Sequence, residues 1–181
     1  MLLIMVIAAF CGLLGAVLYN HLVRDRMLVR EAWSGIDVQL KRRHDLIPNI
    51  VESVKGYMGF EQKVLEDVTR LRSQLDTVVD QNDKARMENS LSRGLKSIFA
   101  LAENYPDLKA NKSFLELQNT LIAVEDELQL ARRYYNGTVR NYNIMVESFP
   151  SAIVAMLFHF PPAAFFEIEY ATERKTPDVK F

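Results

Sequence analysis

From Leu2 to Leu18 almost every residue is apolar, none is proline, and the first charged side chain is Arg24. No other feature limits so strongly what this chain can become. A helix continued through Val23 would measure roughly 30–35 Å, enough to cross the hydrocarbon core of a bilayer. All 22 Lys and Arg and all 23 Asp and Glu lie beyond it. No basic residue precedes the run, and no small-residue cleavage site followed by a loop appears. The pattern therefore predicts a retained transmembrane anchor over residues 1–23 rather than a removed signal peptide. The single cysteine, Cys11, lies within the run. Phe10 before it suits lipoprotein processing poorly, and one cysteine can form neither an internal disulfide nor a zinc cluster.

Tyr19 and His21 fall where interfacial side chains belong, and Arg24, Arg26 and Arg30 follow directly. The positive-inside rule then predicts a single-pass membrane protein with its soluble part in the cytoplasm. The bilayer is the first expected partner. Ala8, Gly12 and Ala16 recur every four residues on one face, a spacing that lets two membrane helices approach closely.

The rest of the 181 residues make one domain of about 150 residues, large enough to bury a core. Apolar residues are 49% of the chain and charged residues 25%, a globular rather than a disordered mixture. A formal net charge of −1 gives no bulk field to attract nucleic acid, so none is expected as partner.

Helical periodicity dominates this domain. Phe114, Leu121, Leu128, Tyr135, Tyr142 and Phe149 fall seven apart, with Leu117, Val124, Ala131, Thr138 and Met145 on the second track. That predicts a helix over Ser113 to Phe149, opened by a Ser113/Glu116 capping box and stopped by Pro150. Trp33, Leu40, Ile47 and Val54 repeat the spacing after the anchor, with Ile36, Ile50 and Tyr57 beside them, Arg43 interrupting and Pro48 loosening the helix. Gly56 and Gly59 supply a turn. Two shorter helices are expected at Phe60–Val79, with Val64, Val68, Leu71 and Leu75 inward, and at Lys84–Glu103, with Met87, Leu91, Leu95, Ile98 and Ala102 inward. Asp80 to Asp83 connects them, and Tyr105-Pro106-Asp107 breaks the chain before the last helix. The fold class predicted is all-α, an N-terminal transmembrane helix continuing into an elongated antiparallel four-helix bundle of two long and two short helices. The bundle domain spans 24–170, its strongly apolar end covers 150–170, and a polar tail occupies 171–181. The apolar end is too short and too proline-broken to be a second span. Packing on the long helices, lying in the membrane interface and binding a neighbour all remain open for it.

Lys41-Arg42-Arg43-His44-Asp45 is the densest polar constellation. Arg42 and His44 are candidates for a partner or anionic-lipid surface. Arg43, on the inward track, is expected to pair with a carboxylate such as Glu125 or Asp126. Tyr135, Tyr142, Phe158, Phe160, Phe165 and Phe166 complete the candidate partner surface. His21, His44 and His159 have no clustered ligands, so no metal is expected. The pairs Glu125-Asp126 and Glu167/Glu169 are not accompanied by a nucleophile, and no phosphate loop, nucleophile elbow or zinc-protease helix occurs. No catalytic residue and no cofactor is predicted. The tripeptides Asn111-Lys-Ser113 and Asn136-Gly-Thr138 have no meaning for a cytoplasmic domain.

The run from Glu31 to Asn49 (EAWSGIDVQLKRRHDLIPN) resembles the signature of the LemA family, as does Val54-Lys-Gly-Tyr57. The stretch from Ala102 to Asn111 (AENYPDLKAN) is similar to that family's helix connection. Tyr135-Asn136, Val139, Tyr142-Asn143, Phe149-Pro150 and Phe165-Phe166-Glu167 resemble its C-terminal half, so the resemblance covers about residues 19 to 170. It implies a bacterial membrane protein with an N-terminal span and a helical bundle, and it supplies no reaction. Phe60 departs from the histidine frequent at that position. Members often occur beside membrane zinc metallopeptidases, and a magnetosome-associated relative exists. The reading is a membrane-anchored helical scaffold or adaptor that acts through protein–protein contacts with its own copies or another membrane protein. The alternative is an accessory subunit modulating a membrane zinc metallopeptidase.

Overall fold

The computed structural model describes residues 1–57, 62–78 and 80–166. The expectations for Gly59, Phe60, Glu61, Val79, Glu167, Glu169 and the tail 171–181 lie outside the described residues. Among those described, every regular element is a helix: α1 (Leu2–Lys55), α2 (Gln62–Leu75), α3 (Gln81–Ala102), α4 (Pro106–Lys109), α5 (Lys112–Glu147) and α6 (Ser151–Leu157). The boundary expected at residue 23 falls inside α1, which continues for 54 residues without interruption. Pro48 lies within it and does not end it.

Two compact units share the long helices. One comprises residues 1–38 and 128–165, the other residues 39–127 together with the chain from 166 onward. In the second unit, four long or medium helices feed one apolar cluster. Ile47, Ile50 and Val54 come from α1, Leu65, Val68 and Leu75 from α2, Leu91, Leu95, Ile98 and Ala102 from α3, and Phe114 and Leu121 from α5, with Leu108 of α4 added. The heptad reading named most of these. It missed Leu65, which is buried while Val64 and Leu71 are only half-buried, and it placed Tyr57 inward where the structure exposes it.

Helix starts follow local hydrogen bonding. The side chain of Asp80 accepts from the Asp83 amide at 2.9 Å, so α3 begins at Gln81, earlier than the polar stretch suggested. The capping box expected at Ser113 is not formed. Asn111 caps α5 instead, its Oδ1 accepting from the amides of Ser113 at 2.9 Å and Phe114 at 3.2 Å. The break at Tyr105-Pro106-Asp107 is occupied by the single turn of α4, with Pro106 at its first position.

In the first unit, Leu22 of α1 clusters with Tyr142 of α5, Ala155 of α6 and Phe160. Further along α1, Trp33 meets Tyr135 edge-on at 5.3 Å between ring centroids. As the α1 number rises the α5 number falls, so the two helices run in opposite senses here. Beyond α5, Phe149 is exposed, and α6 begins after Pro150. Helix α6 ends in a Schellman turn. The Phe160 amide donates to the Ala155 carbonyl at 2.9 Å and the His159 amide to Met156 at 3.4 Å, with His159 left-handed at φ 55°. That turn drives Phe160 into the cluster beside Ala155.

Among the described glycines, Gly94 of α3 is the one packed against another helix. A Cβ built there would lie 2.7 Å from Cγ2 of the fully buried Val68 on α2. Gly94→Ala should therefore lose stability despite its better helix propensity. Overpacking costs about 1–3 kcal/mol, against a propensity gain of about 1 kcal/mol. A urea melt showing the variant to be more stable than the parent would contradict this packing.

Candidate functional site

The polar constellation at residues 41–45 divides by helix geometry. Lys41, Arg42 and Asp45 face solvent, whereas Arg43 and His44 turn inward. The guanidinium of Arg43 is wholly buried. Nη1 donates to Glu88 Oε2 at 3.2 Å, and Nη2 donates to Ser92 Oγ at 2.7 Å and to the Glu88 carbonyl at 3.4 Å. Its Nε lies 3.0 Å from Glu125 Oε1, an ion-pair distance but out of line for a hydrogen bond. The expectation of a carboxylate partner near Glu125 thus meets its residue, while Asp126 stays exposed.

Glu88 is the hub of this layer. Its side chain is fully buried, and its second oxygen lies 2.7 Å from His44 Nε2. A carboxylate only accepts, so the His44 proton sits on Nε2. The neighbouring backbone is also satisfied. Pro48 has no N–H to give the carbonyl of His44, four residues earlier, and Arg72 Nε of α2 reaches that carbonyl at 3.4 Å. One turn of α1 is thereby tied by polar contacts to α2, α3 and α5. Such an arrangement fixes helix register, and its buried charges tolerate no loss of a partner. The Ser92 hydroxyl is engaged by the Arg43 guanidinium.

A second polar set clasps the chain end within the first unit. Tyr135 donates its hydroxyl to the Ala164 carbonyl at 2.8 Å, and Tyr142 donates to Pro161 at 2.9 Å. Asn143 takes both polar groups of Ala163, donating to its carbonyl at 2.9 Å and accepting from its amide at 2.8 Å. Pro161 has no amide to satisfy, and the α5 side chains supply donors to three carbonyls of this extended segment. Desolvation by burial raises the Tyr135 phenol above its ordinary value of 10.0. It does the same for Tyr142, against an opposing pull from Arg26. Both therefore stay protonated donors at neutral pH.

These contacts correct part of the expected partner surface. His44, Tyr135, Tyr142, Phe160 and Phe166 are buried: Tyr135 and Tyr142 follow the heptad track, the Schellman turn carries Phe160 inward, and His44 meets the buried Glu88. Arg42, Phe158 and Phe165 remain exposed, and Ala8, Gly12 and Ala16 are exposed on α1. Sequence reasoning missed Glu88, whose only signal was a carboxylate one position beyond Met87 on the same inward side. It also missed Leu130 and Tyr134, an exposed apolar pair four apart on α5. His21 and His159 are exposed and apart from the His44 layer. An open groove in the second unit is lined by Val51, Lys55, Gln62, Leu65, Glu66, Thr69, Arg70 and Ser73, side chains of both charge signs.

The fold and these sites define an all-helical protein with one helix long and apolar enough to cross a membrane, its apolar window wholly unburied. The sequence pattern of the LemA family matches residues 32–181, and the chain belongs to that family. It is similar to Protein LemA of Metamycoplasma hominis, 32% identical over 135 residues, covering 74% of this chain and 58% of that protein. It is also similar to Magnetosome protein MamQ 2 of Paramagnetospirillum magneticum, 19% identical over 82% of this chain and 64% of that protein. Magnetosome protein MamQ of Magnetospirillum gryphiswaldense is 18% identical over 88% of this chain and 66% of that protein. The chain thus spans about three fifths of the first two relatives' length.

Glu88→Ala should cost about 3–5 kcal/mol, because it strands the buried Arg43 charge. Replacing Arg43 and Glu88 together by methionine should recover most of that loss. Chemical denaturation checks both, and a Glu88→Ala variant within about 0.5 kcal/mol of the parent would contradict a structural hub.

Proposed function

We propose that this protein is a membrane-anchored helical scaffold or adaptor, acting through protein–protein contacts and not as an enzyme. The observation that carries the reading is the N-terminal part of α1. It is an apolar helix that no part of the described structure covers, continuous with a helix whose later turns build the folded core. A helix satisfies its own backbone hydrogen bonds, so this segment suits a bilayer without further partners. Arg24, Arg26 and Arg30 are exposed just past the uncharged run, which supports an inner-membrane protein with the folded part on the cytoplasmic side.

The interior supports scaffolding over catalysis. The buried Arg43 and Glu88 are spent on one another, and the buried tyrosines hold the chain's own backbone. The contact residues in this reading are the exposed Phe158 and Phe165 of the first unit and, separately, Arg42 of the second, with Ala8, Gly12 and Ala16 as the self-association face inside the membrane. The MamQ relatives bear a name that attaches them to the magnetosome and to no reaction, which agrees with an organising role. No observation on the described residues favours the peptidase-accessory alternative, and it is not carried forward.

A Cβ added at Gly12 meets nothing within 4 Å, so Gly12→Leu leaves the protomer intact. Light scattering of the full-length chain in mild detergent should give more than one copy, falling to a single copy in the variant. A single-copy parent that also crosslinks to no other membrane protein in its native membrane would contradict the scaffold.

A further inference from the structure

We propose that α6 lies in the interfacial layer of the bilayer that α1 crosses, with Phe149, Ile153, Met156 and Leu157 set among lipid acyl chains. This inference rests on reading α1 as a membrane span.

Four observations converge on a lipid surface. First, residues 148–166 contain no Asp, Glu, Lys or Arg, which makes them the chain's second uncharged stretch after residues 1–23. Second, α6 is apolar on both faces. Ala155 is buried against the cluster, while Ile153 is 60% exposed, Met156 80% and Leu157 69%, and Phe149 just before the helix is 83% exposed. The spacing 153, 156, 157 makes one continuous outward face. On α5, by contrast, the exposed Leu115 adjoins Glu116 and the exposed Leu130 is close to Arg132 and Arg133. Isolated apolar residues beside charges are ordinary surface, whereas a contiguous uncharged face marks an interaction site.

Third, the two uncharged stretches meet. Tyr19 packs edge-on against Phe158 at 4.9 Å and against Phe160 at 5.7 Å. Tyr19 sits where α1 passes from apolar run to basic cluster, and the headgroup layer is where amphipathic aromatic rings collect. The Arg26 guanidinium lies 5.8 Å over the Phe160 ring, and positive charge begins at Arg24, five residues beyond Tyr19. Fourth, α5 and α1 are antiparallel in this unit, with Leu22 and Tyr142 in one cluster. Seven residues onward from Tyr142 the chain, past the end of α5 at Glu147, reaches Phe149, and seven residues back from Leu22 α1 reaches Gly15, well inside the uncharged run. The turn at Phe149 therefore stands level with the uncharged run, and Ala155 of α6 stands beside Leu22 where that run ends. A short apolar helix lying in the boundary between headgroups and acyl chains satisfies this placement.

The test uses the full-length chain with Cys11→Ser, reconstituted into vesicles of phosphatidylcholine and phosphatidylglycerol. Single cysteines at Met156→Cys, Leu13→Cys and Ala100→Cys carry an environment-sensitive fluorophore, and all three native positions are exposed in the protomer. Acyl-brominated lipid and aqueous iodide serve as opposing quenchers. The expected result is several-fold stronger quenching by brominated lipid than by iodide at 156 and at 13, with the reverse at 100. If 13 is quenched by lipid and 156 by iodide, the interfacial placement is overturned while the span survives. If neither is quenched by lipid, the span itself fails. If 156 is shielded from both quenchers, a second copy covers α6, and the lipid proposal is overturned in favour of a protein contact.

Discussion

Everything in this protein hangs on α1 remaining one unbroken helix in two different settings. Its first turns present Leu2 to Val17 to the surroundings, none of them buried. From Leu22 onward the same helix turns Ile36, Leu40, Ile47, Ile50 and Val54 into buried positions. Only a helix can make that change without leaving backbone groups unsatisfied, because each residue bonds within its own segment. The one place where the rule breaks, the carbonyl of His44 opposite Pro48, is the place where α2 supplies Arg72.

The layer around Arg43 is the second dependency. An apolar residue would fill that inward position at lower desolvation cost, so the pair with Glu88 is poor value as stabilisation alone. What it supplies is register. Arg43 reaches Glu88 and Ser92 on α3 and faces Glu125 on α5, and a slip of one turn in any helix would strand a buried charge. Coiled-coil-like apolar seams specify register weakly, and a single polar position among them corrects this. The clasp of Tyr135, Tyr142 and Asn143 on residues 161–164 plays the matching part for the chain end. Side chains read as a partner surface instead hold the protein's own backbone.

The helices were legible in the sequence because their signal is periodic and repeated. Phe114 through Tyr142 and Leu40 through Val54 each carry several turns of agreement, so one exception such as Arg43 does not blur the pattern. Single-residue features were less legible. Ser113 and Glu116 fit a capping box, but Asn111 caps the helix two residues earlier through the Ser113 and Phe114 amides, and a sequence cannot rank two competing caps. Glu88 looks like any surface carboxylate until α1 is placed against α3. The exposure of Tyr57 and the burial of Leu65 depend on where α2 turns, which the glycines around residue 56 leave free. Tyrosines were the least legible. Their rings follow the heptad track inward, yet their hydroxyls find carbonyls only after the proline-broken end has folded back.

The central claim is that the unburied run at the start of α1 sits in a bilayer. The most direct measurement is alkaline carbonate extraction of membranes from cells making the full-length chain, followed by separation of pellet and supernatant. Retention of the protein in the membrane pellet, as for an integral protein, is the predicted result. Release of the intact chain into the supernatant would contradict the anchor, and with it the scaffold at the membrane.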